Sequence, residues 1–218
     1  MRTRPLSLIS LAIVCLLTAI ALIALSRLPV GAQLPIHWTI AGDANQYASA
    51  RYVLFGPVVA TAILSALFAV LPRLEPLQER MGGSATLLEA SWVGFLALMV
   101  LVQIMIAGPA FGLVLTPSLL FAGLGIYLII RGNALPKSRP GFFVGIRTPW
   151  AITDTNNWVA THRFGSRTMM LGGAIIALAA VLPLGAQARL GTVYFALALT
   201  SLPPVIYSWW FWRRTKPS

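Results

Sequence analysis

Between Gly141 and Arg167 the chain reads GFFVGIRTPWAITDTNNWVATHRFGSR, and most of its chemically capable side chains fall there. Arg147, Arg163 and Arg167 supply fixed positive charge, Asp154 a carboxylate, and His162 an imidazole. Trp150 and Trp158 add large amphipathic rings. A histidine with an aspartate raises acid–base chemistry, which needs both groups within hydrogen-bond reach of one proton. On one helix Asp154 and His162 stand eight residues apart, roughly 12 Å, so they do not meet directly. No nucleophile elbow, zinc-type histidine spacing or phosphate-binding glycine loop accompanies them. The arginines and tryptophans are instead suited to meeting phosphates, or the surface of a partner protein.

The second histidine, His37, lies in RLPVGAQLPIHWTIAGDANQYASAR, next to Trp38 and shortly before Asp43. One imidazole and one carboxylate fall short of the three or four ligands of a zinc site, so no metal and no other cofactor is expected. Pro29, Gly31, Pro35, Gly42, Asp43 and Asn45 are turn formers, and the stretch reads as an interfacial loop pinned by Trp38 and Tyr47.

The elements that must carry these loops are lipid-soluble. Hydrophobic residues make up 58% of the 218 and charged residues 10%, against about 25% charged in ordinary globular chains. Too few polar groups remain to clothe a soluble surface, so the chain is an integral membrane protein. The net charge of +11 does not mark a nucleic-acid binder, because the basic residues fall between apolar runs, where lipid headgroups lie. Cys15 is the single cysteine, inside the first run, and excludes an intramolecular disulfide.

Six runs are long enough to span a bilayer: about Leu6–Ser26, Tyr52–Leu71, Leu87–Ala107, Phe111–Ile130, Thr168–Ala188 and Thr192–Trp212. The first is longer than the apolar core of a signal peptide and reads as an uncleaved helix. Thirteen basic residues fall on one side of these spans and three (Arg27, Arg51, Arg189) on the other. The richer side, with both termini and the 131–167 loop, is therefore expected in the cytoplasm of a bacterial cell membrane. His37 and His162 then lie on opposite sides and share no site.

Local signals complete the expectation. Gly108-Pro109 should turn the third run into the fourth, and Pro117 should kink the fourth. Ala62 with Ala66, and Gly173 with Ala177, are spaced for close helix approach. In the third run Glu89 can reach Arg80 or Arg73, and Gln103 can bond a neighbouring helix. Trp209, Trp210 and Trp212 before Arg213-Arg214 form an interfacial anchor. In the 131–167 loop, residues 131–140 read as a polar linker. Pro149 forces a turn, and Thr153 or Asp154 caps a short helix that Gly165 ends. That helix would lie in the interface with Trp158 and Phe164 toward the acyl chains. The predicted fold is all-α: a polytopic bundle of six transmembrane helices with one short cytoplasmic interfacial helix. Residues 1–65 hold the first helix, outward loop and second helix, 66–110 the connecting helices, and 111–218 the region of the long loop.

GFFVGIRTPW followed by WVATHR resembles the signature of the SdpI family of bacterial membrane proteins, at Gly145, Arg147, Thr148, Pro149, Trp150, Trp158, Thr161, His162 and Arg163. LPIHWTIAGDANQY, with Pro35, His37, Trp38 and Gly42, is similar to an uncharacterised domain that often precedes it. Gly141 and Ala151 depart from the residues that many members carry, Asn and Thr. The family is named for an immunity protein that protects a toxin-producing bacterium from its own secreted peptide and, once toxin is bound, holds a transcriptional repressor at the membrane. The resemblance implies toxin immunity or signal transduction without catalysis. The implied partners are membrane lipids, a peptide toxin and a cytoplasmic transcriptional regulator, with no direct contact to nucleic acid. Candidate interaction residues are Arg147, Thr148, Pro149, Trp150, Trp158, His162, Arg163, His37 and Trp38. The alternative is a small-solute transporter or channel subunit using Pro117, Gln103 and Glu89.

Overall fold

The computed structural model describes residues 3–38, 44–76, 82–113 and 115–215. Its elements are α1 (Thr3–Arg27), β1 (Gln33–Trp38), β2 (Ala44–Ser49), α2 (Ala50–Leu74), α3 (Ala85–Ala107), α4 (Ser118–Ala134), α5 (Pro149–Thr153), α6 (Thr155–Val181) and α7 (Ala186–Thr215). Six helices are long and apolar enough to cross a membrane, so the chain is a multi-pass membrane protein, nearly all-α. The exception is the loop between α1 and α2, in which β1 and β2 pair antiparallel as a hairpin.

The helices pack as two groups of three. Leu17, Ala21, Ala24, Leu54, Val58 and Ala107 fill the seam of α1, α2 and α3, with Leu34 of the hairpin beneath them. Leu128, Met169, Ile176, Val193 and Ala196 fill the seam of α4, α6 and α7, and Leu71 of α2 with Leu87 and Leu88 of α3 join the same cluster and tie the two groups together. The second seam is closer because glycines line it. A Cβ on Gly125 would stand 2.5 Å from the Gly173 carbonyl oxygen, and one on Gly173 would stand 2.6 Å from that of Gly125. The expected approach at Gly173 and Ala177 is therefore made, against α4. Ala62 and Ala66 differ: with Ser7, Ser10, Leu11, Val14 and Ser65 they line a crevice of about 250 Å³ between α1 and α2.

Three further expectations are corrected. Pro117 does not kink a helix; α4 starts at Ser118 with Pro117 as its N-terminal cap residue, where a missing N–H costs nothing. The stretch after Ile130 is not a polar linker, because α4 continues to Ala134 and a tight turn at Leu135–Lys137 buries Leu135 and Ser138. Gln103 makes no bond to a neighbouring helix: it is fully buried, and neither atom of its amide has a partner among the described residues. The expected pairing of Glu89 with Arg80 lies outside the described residues, as do Gly42 and Asp43.

Candidate functional site

The chain between α4 and α6 is a strap laid over the first turns of α6 and held at both ends. At one end Glu75, just past α2, is buried and turns its carboxylate on the strap. Oε2 accepts the Phe142 N–H at 3.0 Å and the Phe143 N–H at 3.3 Å. Pro76 follows Glu75 and pushes it out of the helical region, to φ −67°, ψ 114°. That bend aims the carboxylate away from the α2 axis. Charge-assisted bonds of this kind are about twice as strong as neutral ones.

At the other end lies His162. Its Nε2 accepts the Ile146 N–H at 2.9 Å, and its Nδ1 lies 2.8 Å from the Trp158 carbonyl oxygen. A carbonyl only accepts, so Nδ1 carries the proton and Nε2 the lone pair: the ring is the neutral Nδ1–H tautomer. The imidazole stacks on Trp158 with centroids 4.0 Å apart. Trp158 is fully buried, and its Nε1–H donates to the Ser138 hydroxyl at 3.2 Å. Between the two ends the strap passes so close to these rings that only glycine fits. Gly145 has φ +110°, and a Cβ there would stand 2.5 Å from His162 Nε2 and 2.8 Å from Trp158.

Two caps in series turn the strap into α6. Thr148, extended as a residue before proline must be, accepts the Ala151 N–H on its Oγ1 at 3.1 Å and starts α5 at Pro149. Asp154 then accepts the Asn156 N–H at 2.8 Å and starts α6. The Asp154 cap is as expected, but the helix does not stop at Gly165. It runs on to Val181 as the fifth span. Gly165 instead provides a flat spot where Ile146, Leu135 and Pro204 meet. Trp158 consequently faces the protein interior, not acyl chains, and Phe164 stacks on Tyr207 at 4.7 Å. The reason is continuity: α6 has an apolar run beyond Gly165, and a glycine in a packed helix costs only about 1 kcal/mol.

Below the caps a closed polar network ties α6 to α7. Thr148 Oγ1 and Ser208 Oγ are 2.6 Å apart, Ser208 donates to Asn157 Oδ1 at 2.8 Å, and Thr161 donates to the same oxygen at 2.9 Å. Asn157 Nδ2 donates to the Ser208 carbonyl at 2.9 Å. Since Ser208 spends its proton on Asn157, Thr148 is the donor to Ser208.

The nine candidate residues thus divide. Thr148, Trp158 and His162 are buried and form the base of the strap. Arg147, Pro149 and Arg163 are exposed, and Trp150 is half-buried against Trp212, with ring centroids 5.7 Å apart. Arg147 donates to the Phe142 carbonyl at 3.0 Å, closing the strap on itself. At the C-terminus Arg213 lies over Trp209 and Arg214 over Trp210. His37 and Trp38 belong to the hairpin. His37 is exposed, with Nδ1 2.6 Å from Asn45 Oδ1, and the Trp38 side chain lies outside the described residues. Among the described residues no group of three or more His, Cys, Asp or Glu is placed to hold a metal.

Glu75, Ser138, Asn157 and Ser208 were missed by sequence reasoning. Glu75 alone carried a signal, as one of five acidic residues, set between Leu74 and Pro76 at the end of an apolar run. The other three are small polar residues whose partners lie 20 to 51 positions away.

The strap, the caps and the network lie within residues 137–208, which match the SdpI/YfhL protein family. The "Immunity protein SdpI" of Bacillus subtilis (strain 168) is 39% identical over 56 residues, which is 26% of this chain. The match spans about a quarter, 27%, of that relative's own length. No solved structure matches the chain. Residues 137–208, about a third of the chain, are thus similar to the SdpI/YfhL protein family.

Proposed function

We propose that the protein gives its host immunity to a membrane-active peptide toxin, and that it does so by binding rather than by catalysis. The observation that carries this reading is the division within the strap. Arg147, Pro149 and Arg163 are exposed with half-buried Trp150 beside them, while the residues beneath are locked by closed hydrogen bonds. That is the build of a recognition surface: a cationic, aromatic rim preorganised by a rigid base. Acid–base catalysis finds no support here, because both ring nitrogens of His162 are engaged by backbone groups.

In this reading the strap and both termini face the cytoplasm, as the distribution of arginines supports. The outward loop and the helix bundle meet the peptide, and the rim holds lipid phosphates or a cytoplasmic transcriptional regulator that relays the binding. Immunity is tested by expressing the chain in a toxin-sensitive bacterium and measuring survival against secreted peptide toxins. Arg147→Ala should lower protection while leaving membrane levels unchanged, and the absence of protection by the wild-type chain against every peptide tried would discard the reading. Trp158→Ala is not an equivalent probe, since it empties a fully buried site.

One observation favours a second reading, a small-solute transporter: the amide of Gln103, without a partner among the described residues, inside the membrane. Solute flux into proteoliposomes that is unchanged by Gln103→Leu would remove it.

A further inference from the structure

The hairpin outside the family match is a two-stranded antiparallel sheet, so each strand has one edge with no strand beside it among the described residues. The two edges differ in chemistry. The Ala50 N–H donates to the Ala32 carbonyl at 2.9 Å, which sets the alternation for the pairs that follow it in register. Leu34 and Ala48 then bond each other inside the ladder, while Gln33 with Ser49, and Pro35 with Tyr47, turn their backbone groups outward. Pro35 therefore strips an N–H from the outer edge of β1 without costing a ladder bond, a common way to blunt an edge.

β2 has no such block. Its outer edge presents the N–H and C=O of Tyr47 and the N–H of Ser49; the Ser49 carbonyl is already used to start α2. Among the described residues none of these three groups has a backbone partner beyond the strands. Asn45, Gln46, Tyr47 and Ser49 are exposed, and Arg51, also exposed, stands in the first turn of α2 at the end of the same edge.

We propose that the outer edge of β2 is a binding site for an extended peptide, which adds as a third strand on Tyr47 and Ser49 and sets a carboxylate beside Arg51. Alternating outward N–H and C=O groups are matched by an extended backbone and not by a helix, whose own groups are already bonded. A two-stranded hairpin is marginal alone, and a third strand stabilises it. The proline on β1 directs the incoming strand to one side. This inference stands apart from the immunity reading, since it concerns extended peptides as a class.

The test uses the full chain in phosphatidylcholine nanodiscs and a fluorescent, short alternating Val/Thr peptide with a free C-terminal carboxylate. Ser49→Pro is the decisive variant. Ser49 has φ −52° and makes no side-chain cap bond, so proline fits the existing backbone and removes only the outward N–H. Ser49→Pro should weaken binding about tenfold or more, equivalent to 1.4 kcal/mol, and Ser49→Ala should bind as wild type. The same peptide N-methylated on alternate amides should not bind the unaltered protein, a result that does not depend on any variant folding. Arg51→Gln should erase the advantage of the carboxylate over a C-terminal amide. Equal binding to Ser49→Pro, equal binding of the N-methylated peptide, or no saturable binding would overturn the proposal. So would a dimer of the wild-type chain that Ser49→Pro abolishes and the peptide does not displace, because the edge would then serve a second copy.

Discussion

The groups α4–α6–α7 and α1–α2–α3 occupy the same membrane and are joined in different ways. In the first, backbones touch at Gly125 and Gly173, and the buried hydroxyls and amide of Thr148, Asn157, Thr161 and Ser208 bond one another and nearby backbone. The most apolar stretch of α6 is 44% buried, against 22–33% for the other five helices, so α6 is the axis of the molecule. In the second group the contacts are mostly side chain on side chain, and a crevice opens between α1 and α2. Both Ser65 and Gln103 are buried there without partners among the described residues. Hydrocarbon offers no water to satisfy such groups. The difference is one of degree, since Arg131 Nε in α4 also lacks a partner among the described residues and Trp92 bonds Ser10 across α3 and α1; the family match falls on α6 and α7 of the first group.

Substitution can break that contrast, most severely at Gly145. Gly145→Ala forces a side chain into a left-handed backbone conformation and against His162 and Trp158. We expect a loss of about 3 kcal/mol or more, read as a lower thermal midpoint in detergent. An unchanged midpoint would mean that the strap does not need its close seat on α6.

The next test sets the two halves against each other. Asn157→Leu takes the acceptor from the Ser208 and Thr161 hydroxyls and a donor from the Ser208 carbonyl, and should cost about 2–3 kcal/mol. Gln103→Leu removes two polar atoms that already lack partners among the described residues, and should be neutral or stabilising by up to about 2 kcal/mol. Melting both variants side by side measures the asymmetry, and similar losses would erase it.

Glu75 is a link between the halves, since it leaves α2 and bonds the strap. Glu75→Gln keeps the shape and loses the charge; a cost of about 1–2 kcal/mol is expected, with faster amide exchange confined to Phe142 and Phe143. Exchange rising across all of α6 instead would show that the strap and the helix open together. The smallest effect is expected at Arg147. Arg147→Ala should move stability by no more than about 0.5 kcal/mol, as for an exposed residue with one backbone bond. A large drop would mean that the guanidinium holds the strap and is not free to meet a partner.

Much of this molecule was legible in its residues. The six spans, the turn at Thr148-Pro149 and the cap at Asp154 depend on composition and on neighbours a few positions away. The site was half legible: His162, Trp158 and Gly145 stood out by type, but Trp158 was assigned to the wrong side of α6. Amphipathicity cannot separate a lipid-facing ring from a protein-facing one, because both surroundings are apolar.

Local chemistry, then, determined on its own that this is a multi-pass membrane protein with six spans, since insertion answers to consecutive apolar residues, but it misplaced the starts of the fourth and fifth helices. Tertiary structure alone decided that residues 141–154 form a strap on α6, and that residues 155–167 are the first turns of that continuous helix and not a separate interfacial helix. The deciding contacts are the Glu75 carboxylate on the Phe142 N–H, His162 on the Ile146 N–H, and Asn157 with Ser208. Each joins positions 16 to 67 apart, and a hydrogen bond between distant residues exists only once packing has brought donor and acceptor together and excluded the competitors.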